Sequence, residues 1–510
     1  MKCIRKCLLS FFVLGVLLSC ARAPREQTTE IPFRPMLTLD ARKNIRLHAL
    51  YAMPRTHPSG QGIPLGVSEG LDSETVKRSI VRLIYGEDAS RIVSSGFFVA
   101  PDKIATNIHV VAPADLDSLH VRSGDTNYTI QEVIAYDAQN DLVVLRVSGE
   151  GVPLALGDSE AMSSGDTIFS VGYFMDRYNV MKNSVESVQC NGTCFEMTAD
   201  IPPGTSGGPV LNTEGEVIGV NIAGVGSSGY AIVSNALQML LSRSRTRESW
   251  VQWQKRESVR AYAYLFQASQ AFQAGAYADA IEALNKSIAL NPTYIELGMT
   301  YNNRGYVKTL LGHADFSSGS VAAAQKYYHA AIEDFDKTIR LDPEVPVHTD
   351  RGVANISLDL SKTSQGRAEE ARQYYHAAIQ DFDRAINLNQ GDAYAYGNRG
   401  YTRIRLGNFE SGSGNTDRAQ VLYKAAITDS DSAIQFDAEN PYYYHTRGVA
   451  KAALADYNGA VDDFNKSLRL KSDFTRAYYN RALAKVALGQ QDAAKTDFEK
   501  ARELGLDAGK

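Results

Sequence analysis

Two rhythms of hydrophobic spacing divide this chain. In its first half, Ser95-Gly96-Phe97-Phe98-Val99, a turn at Pro101-Asp102 and the run from Ile104 to Val111 predict two paired strands. His109 then falls just past the second strand, and Asp141 sits at the mouth of a further apolar strand, Leu142 to Val147. After a polar stretch around Arg243–Glu257 the period changes to that of a helix. Val321, Ala324, Tyr328, Ala331, Phe335 and Ile339 recur at three-four spacing, as do Ala371, Tyr375, Ala378, Phe382 and Ala385. The pattern predicts an all-β part followed by an all-α part.

The helical half repeats itself. Asn303-Arg304-Gly305, Asp350-Arg351-Gly352, Asn398-Arg399-Gly400, Thr446-Arg447-Gly448 and Asn480-Arg481-Ala482 are one recurring element, and a second helix such as Ala331–Pro343 follows each. An earlier copy is marked by Gly275, Tyr277, Ala280 and Ile281, ending at Asn291-Pro292. These units resemble tetratricopeptide repeats, whose period is about 34 residues. Six copies are legible across 260–508. The step from Gly448 to Ala482 is 34 residues, but the three before it are 47, 48 and 48. An excess of about fourteen residues, split as seven and seven, adds two turns to each helix and keeps both apolar stripes in phase. The alternative is a flexible loop in each long repeat. On the elongated reading, Ser317–Ser320 and Ser411–Gly414 cap the hairpins. The five equivalent arginines either form a ladder that pairs neighbouring repeats or present a basic strip to an acidic ligand. The resemblance implies a groove for a protein or peptide partner.

A chain of 510 residues has room for two or three domains, and a net charge of −5 argues against nucleic-acid binding. Candidate chemistry lies in the β half. Gly204-Thr205-Ser206-Gly207-Gly208-Pro209 is a tight glycine-rich turn able to expose a serine hydroxyl and to aim backbone N–H groups at a reacting carbonyl. With Thr106-Asn107-Ile108-His109-Val110-Val111 and Asp137–Leu145 upstream, the order is His109, Asp141, Ser206. Gly215–Val220 and Gly229–Val233 follow downstream.

Over residues 75–242 the sequence resembles trypsin-like serine proteases of the bacterial HtrA/Deg type. The resemblance implies a chymotrypsin-like double barrel, so that the whole is a multidomain chain: an all-β double barrel followed by an all-α tetratricopeptide solenoid. It implies His109 as general base, Asp141 as its orienting acid, Ser206 as nucleophile, and the N–H groups of Gly204 and Ser206 as oxyanion donors. Asp137 is the rival to Asp141, and His120 reads as a surface histidine. Asp200, six residues before Ser206, stands where trypsin carries its pocket carboxylate; it either selects Lys or Arg beside the cleaved bond or is simply solvated. Thr205 replaces the Asp or Asn usual before the serine, which argues against activation by N-terminal cleavage. No PDZ domain follows, unlike typical HtrA proteins.

The first residues carry a basic stretch at Lys2, Arg5 and Lys6 and an apolar run from Leu8 to Leu18, ending Leu17-Leu18-Ser19-Cys20. This resembles a bacterial lipoprotein signal and implies cleavage before Cys20 and its lipidation. Ala21 is not the aspartate that retains many lipoproteins at the inner membrane, so an outer-membrane address is expected if the host has two membranes. Cys190 and Cys194 frame Asn191-Gly192-Thr193, and in an exported protein they read as a disulfide-closed hairpin. No metal site or cofactor is expected. The boundaries read as signal 1–19, lipidated proline-rich tether 20–74, protease 75–242, linker 243–260 and a repeat array 261–508 of six repeats, three of them elongated. The expectation is a membrane-anchored serine endopeptidase whose repeats recruit protein substrates or partners. The alternative is a repeat-based adaptor or envelope-assembly lipoprotein with a minor or inactive protease domain.

Overall fold

The computed structural model describes residues 73–505 except 86–91, 115, 175–176, 190–193, 199–203, 226–227, 244–246, 291–293, 342, 344–346 and 364–367. Cys20, Cys190 and Asp200, with the signal and nearly all of the tether, lie outside the described residues. The chain divides into two compact units, one holding the β elements and the described residues through Arg304 together with those in 341–345, the other those from Gly305 to Arg340 and from Val347 onward.

The first unit contains two antiparallel sheets. Strands β1 (Ile80–Tyr85), β2 (Ile92–Ala100), β3 (Lys103–Asn107), β4 (His120–Ser123), β5 (Thr126–Tyr128), β6 (Ile130–Asp137) and β7 (Leu142–Val147) form a sheet in the order β5-β4-β1-β2-β3-β7-β6. Strands β8 (Thr167–Phe174), β9 (Arg177–Gln189), β10 (Cys194–Thr198), β11 (Pro209–Leu211), β12 (Val217–Val225) and β13 (Ser228–Val233) close a barrel in the order β10-β13-β12-β11-β8-β9. Val81, Leu83, Phe98, Ile104, Val143 and Leu145 fill the core of the first sheet. Their neighbours Ile80, Phe97, Ala105, Leu142 and Val144 point the other way, yet they are buried too, against Phe169, Val171, Leu211, Val220 and Ile222 of the barrel. Burial on both faces is why Leu142-Val143-Val144-Leu145 reads as an unbroken apolar run instead of an alternation.

The segment expected as a linker, 243–260, is part of this packing. Glu248 exchanges backbone hydrogen bonds with Val133 of β6 at 2.9 and 3.1 Å. Trp250 and Trp253, on the short helix Trp250–Gln254, are fully buried in the core of the first sheet. Val259 and Tyr262 of the next helix, Glu257–Gln273, join them. The polar composition that suggested a linker concealed three apolar groups, Trp250, Trp253 and Val259, spaced to cover one side of the sheet.

From Glu257 onward the described residues form six helix pairs. The first joins Glu257–Gln273 to Tyr277–Ala289. Tyr294–Ser317 with Val321–Leu341, His348–Thr363 with Ala368–Leu388, and Ala393–Gly412 with Thr416–Phe436 are the long pairs, and their second helices are each 21 residues. Pro441–Ala453 with Tyr457–Leu470 and Thr475–Ala487 with Gln491–Glu503 run only 13 or 14. Hence the extra residues of the long repeats are helical turns. The recurring glycine marks a close crossing: a Cβ on Gly305, Gly352 or Gly448 would stand 2.7–2.8 Å from the ring of Phe335, Phe382 or Phe464. Seven residues on, Gly312 and Gly407 repeat the contact against Tyr328 and Tyr423 at 2.4 and 2.7 Å, so the added turns reproduce the packing rule of the original ones.

The arginines just before those glycines form a ladder. Arg351 grips Asp381 of its own repeat and bonds Asp336 of the preceding one at 2.6 Å. Arg399 does the same with Asp429 and Asp383, and Arg447 with Asp463 and Asp431. Arg481 holds Asp497 and Asn465. A planar guanidinium can serve two acceptors on different helices at once, which is why Arg and not Lys occupies the position.

Candidate active site

His109 lies on a single helical turn, Ile108–Val111, at the end of β3, and Asp141 closes the turn between β6 and β7. Asp141 has φ of +52°, a left-handed conformation uncommon for any residue with a side chain. Four hydrogen bonds hold it there. Its carbonyl accepts from the Ile108 N–H at 3.1 Å and the Asn107 side-chain amide at 3.0 Å. Its Oδ1 accepts from the His109 N–H at 2.9 Å, and its Oδ2 pairs with His109 Nδ1. Asp141 is 2 % exposed. A carboxylate there holds the imidazole proton on Nδ1 and makes Nε2 the acceptor nitrogen of the ring.

Asp137 takes another role on the same turn. Its carboxylate accepts from the N–H groups of Gln139 and Asn140 and from the Asn140 side chain, and so shapes the turn that delivers Asp141. His120 is exposed at the start of β4, opposite Ile84 of β1.

Ser206 stands on the turn leading into β11. Gly204 and Gly207 have φ of +99° and +81°. A Cβ on Gly207 would fall 2.2 Å from both the Ser95 carbonyl and Thr106 Oγ1, so neither space nor backbone permits another residue. The Ser206 carbonyl accepts from the Ser95 N–H at 3.0 Å. Ser95 Oγ donates to the Gly204 carbonyl at 2.8 Å and accepts from the Tyr173 N–H at 2.8 Å. The Ser206 hydroxyl donates to the Ile222 carbonyl of β12 at 2.7 Å.

Sequence reading placed Ser95 and Thr106 in its strand motifs but gave neither a role in the site. Both are fully buried, and Thr106 Oγ1 donates to the Ser95 carbonyl at 2.8 Å, tying the strand that leads to His109 to the strand that braces the serine turn. The available signal was a pair of hydroxyls inside otherwise apolar strands. Tyr173, beside Gly204, has its phenol pushed up by burial, and Tyr178 is pushed up likewise. Both phenols therefore stay protonated near neutrality.

A family model described as a trypsin-like peptidase domain matches residues 94–220, the stretch containing all three of these side chains. This chain carries a trypsin-like peptidase domain. Tetratricopeptide repeats follow it, with a match at residues 475–504. A probable periplasmic DegP-like serine endoprotease of Chlamydia pneumoniae is 36% identical over 159 residues, 29% of this chain and 32% of that protein. The mitochondrial serine protease HTRA2 of Bos taurus is 35% identical over 171 residues, 31% of this chain and 37% of that one. The chain thus spans about a third of the length of these curated relatives. A crystal structure of the Rv3671c protease from M. tuberculosis in its active form aligns over 34% of this chain and 85% of its own, at 21% identity and a TM-score of 0.31.

Cys194, at the start of β10 in the peptidase domain, is buried and disulfide-bonded. Among the described residues no group of three or more His, Cys, Asp or Glu could hold a metal ion, and no helix is long and apolar enough to cross a membrane.

Proposed function

We propose that this chain is a serine endopeptidase that hydrolyses peptide bonds through an acyl-enzyme. Ser206 is the nucleophile, His109 the general base and then acid, and Asp141 the group that fixes the imidazole. The N–H groups of Gly204 and Ser206 stabilise the oxyanion. The observation that carries this reading is the four-bond clamp on Asp141, which spends a strained backbone on aiming one carboxylate at one imidazole.

Further parts of the proposal rest on sequence. Cys20 is the lipidated N-terminus of the mature chain, residues 20–74 are a tether, Cys190 pairs with Cys194, and the repeats recruit substrates or partners. The DegP-like relatives support a place in the cell envelope, and Ala21 favours the outer membrane. Asp200 either lines the specificity pocket or faces solvent; cleavage after Lys or Arg, abolished by Asp200→Ala, would assign it to the pocket.

A fluorophosphonate probe tests the core of the reading. Wild-type protein should label, Ser206→Ala should not, and His109→Ala should label at least a thousand-fold more slowly. The rival reading, a repeat-based adaptor with little or no cleavage, draws on the Ser206 hydroxyl being engaged by Ile222. Wild-type protein that takes no label under any condition, while its repeats still capture partners, would establish the rival.

A further inference from the structure

The first helix of the repeats reaches the loop that carries Asp141. Tyr262, on the helix Glu257–Gln273, is 3 % exposed, and its hydroxyl donates to the Ala138 carbonyl at 3.1 Å across 124 residues of sequence. Ala138 belongs to the tight turn between β6 and β7 whose last residue is Asp141. The same segment also braces the other partner: Gln254 Nε2 donates at 2.7 Å to the carbonyl of Ala114, just past the helical turn of His109. Trp250 and Trp253 anchor it in the core, Arg256 lies over the Tyr136 ring at 5.4 Å, and Phe266 meets Tyr85 at 6.2 Å. The base and the acid are therefore both held from a segment that lies beyond the matched peptidase region, 94–220.

We propose that Tyr262 is a positioning residue for the triad, and that the helix Glu257–Gln273 belongs to the catalytic scaffold. The physical argument runs through Asp141. A left-handed backbone at a residue with a side chain persists only where its surroundings over-determine it. Asp137 fixes the N–H groups of the turn, and Tyr262 fixes a carbonyl on it. With that carbonyl released, the turn can relax toward ordinary φ, and Oδ2 drifts from His109 Nδ1. The imidazole then loses its tautomer and becomes less basic.

The inference rests on the peptidase reading, and its test keeps the two apart. Tyr262→Phe keeps the ring in the core and removes only the hydroxyl. On the full chain it should lower kcat about ten-fold with KM unchanged and move the acid limb of the kcat/KM profile to lower pH. Because Tyr262 acts through Asp141, Tyr262→Phe should cost nothing further in an Asp141→Asn background. Tyr264→Phe, on the same helix, should match wild type. A Tyr262→Phe enzyme with kcat within two-fold of wild type and an unmoved acid limb would overturn the proposal. If Tyr262→Phe does not fold, Gln254→Ala must show the same loss of kcat at constant KM. Wild-type protein without any labelling would sink the peptidase reading instead. The positioning claim is then read from the far-downfield proton of His109 Nδ1, which should weaken or vanish in Tyr262→Phe; an unchanged signal would refute it.

Discussion

Asp137 and Asp141 lie on one turn, yet their carboxylates meet different partners. Asp137 satisfies two backbone N–H groups, a contact comparable to a helix cap and worth about 1 kcal/mol. Asp137→Ala should therefore lower the unfolding free energy read from urea denaturation by that amount and, by loosening the turn that presents Asp141, slow labelling by about ten-fold. Asp141→Asn keeps the shape but reverses the tautomer, and it should slow hydrolysis by roughly 10⁴-fold with little change in stability. A larger effect of Asp137→Ala on rate than of Asp141→Asn would exchange their roles. At Gly207 the conflict is steric: Gly207→Ala places a methyl 2.2 Å from two oxygens at φ of +81°. It should yield protein that is destabilised by several kcal/mol and unreactive, as scanning calorimetry and labelling would report. The sequence announced His109, Asp141 and Ser206 because their neighbours are unusual. It gave no role to Ser95 or Tyr262, because a buried hydroxyl declares itself only by what lies opposite.

At the level of elements, the helix pairs obey two contacts that recur with the repeat. Glycine against an aromatic ring sets how closely two helices approach, and arginine between two aspartates sets how one pair meets the next. Arg447 is 21 % exposed, and its partner Asp463 is 5 % exposed. Arg447→Ala strands a buried carboxylate, although Lys451 still reaches it at 2.9 Å. The expected cost is about 3 kcal/mol, at the lower end for breaking such a pair. Arg447→Lys should recover only part of it, since an ammonium cannot hold Asp431 and Asp463 together. Equal chemical-denaturation midpoints for Arg447→Lys and wild type would dismiss the ladder. Helix periodicity made the pairs legible. Which arginine nitrogen meets which helix was not, because the aspartates lie 15 to 30 residues away on neighbouring helices.

For the molecule as a whole, two expectations follow from burial. Packing against Phe464 and Phe474 holds the His445 imidazole down from its ordinary value of 6.5 to about 3, and Asn480 Nδ2 sits 2.9 Å from its Nε2. The unfolded chain takes up this proton near pH 6.5, whereas the folded chain resists until about pH 3. In that window the unfolded state binds more protons, so stability contributed here falls as pH drops from 6.5 toward 3. Helical ellipticity during urea unfolding should show a lower midpoint at pH 5 than at pH 7, and His445→Phe should flatten the difference. The second expectation concerns the boundary between the halves. A chain ended at Arg243 loses Trp250, Trp253 and Tyr262 from the first sheet's core, and each tryptophan is worth about 3–5 kcal/mol. Such a fragment should be insoluble or unfolded, while one ended at Ala289 should fold; the reverse would detach the helices from the peptidase core.

What the sequence determined by itself was local and periodic: strands around a Gly-rich turn, three chemically distinctive side chains in order, and a repeat whose period names its helices. Those features are written in neighbouring residues. Only the tertiary structure decided that 243–260 is core and not linker, that Asp141 is clamped in a left-handed turn, and that the arginines join repeats. Each depends on groups far apart in the chain, and packing and hydrogen bonding act on distance in space, which no window of sequence contains.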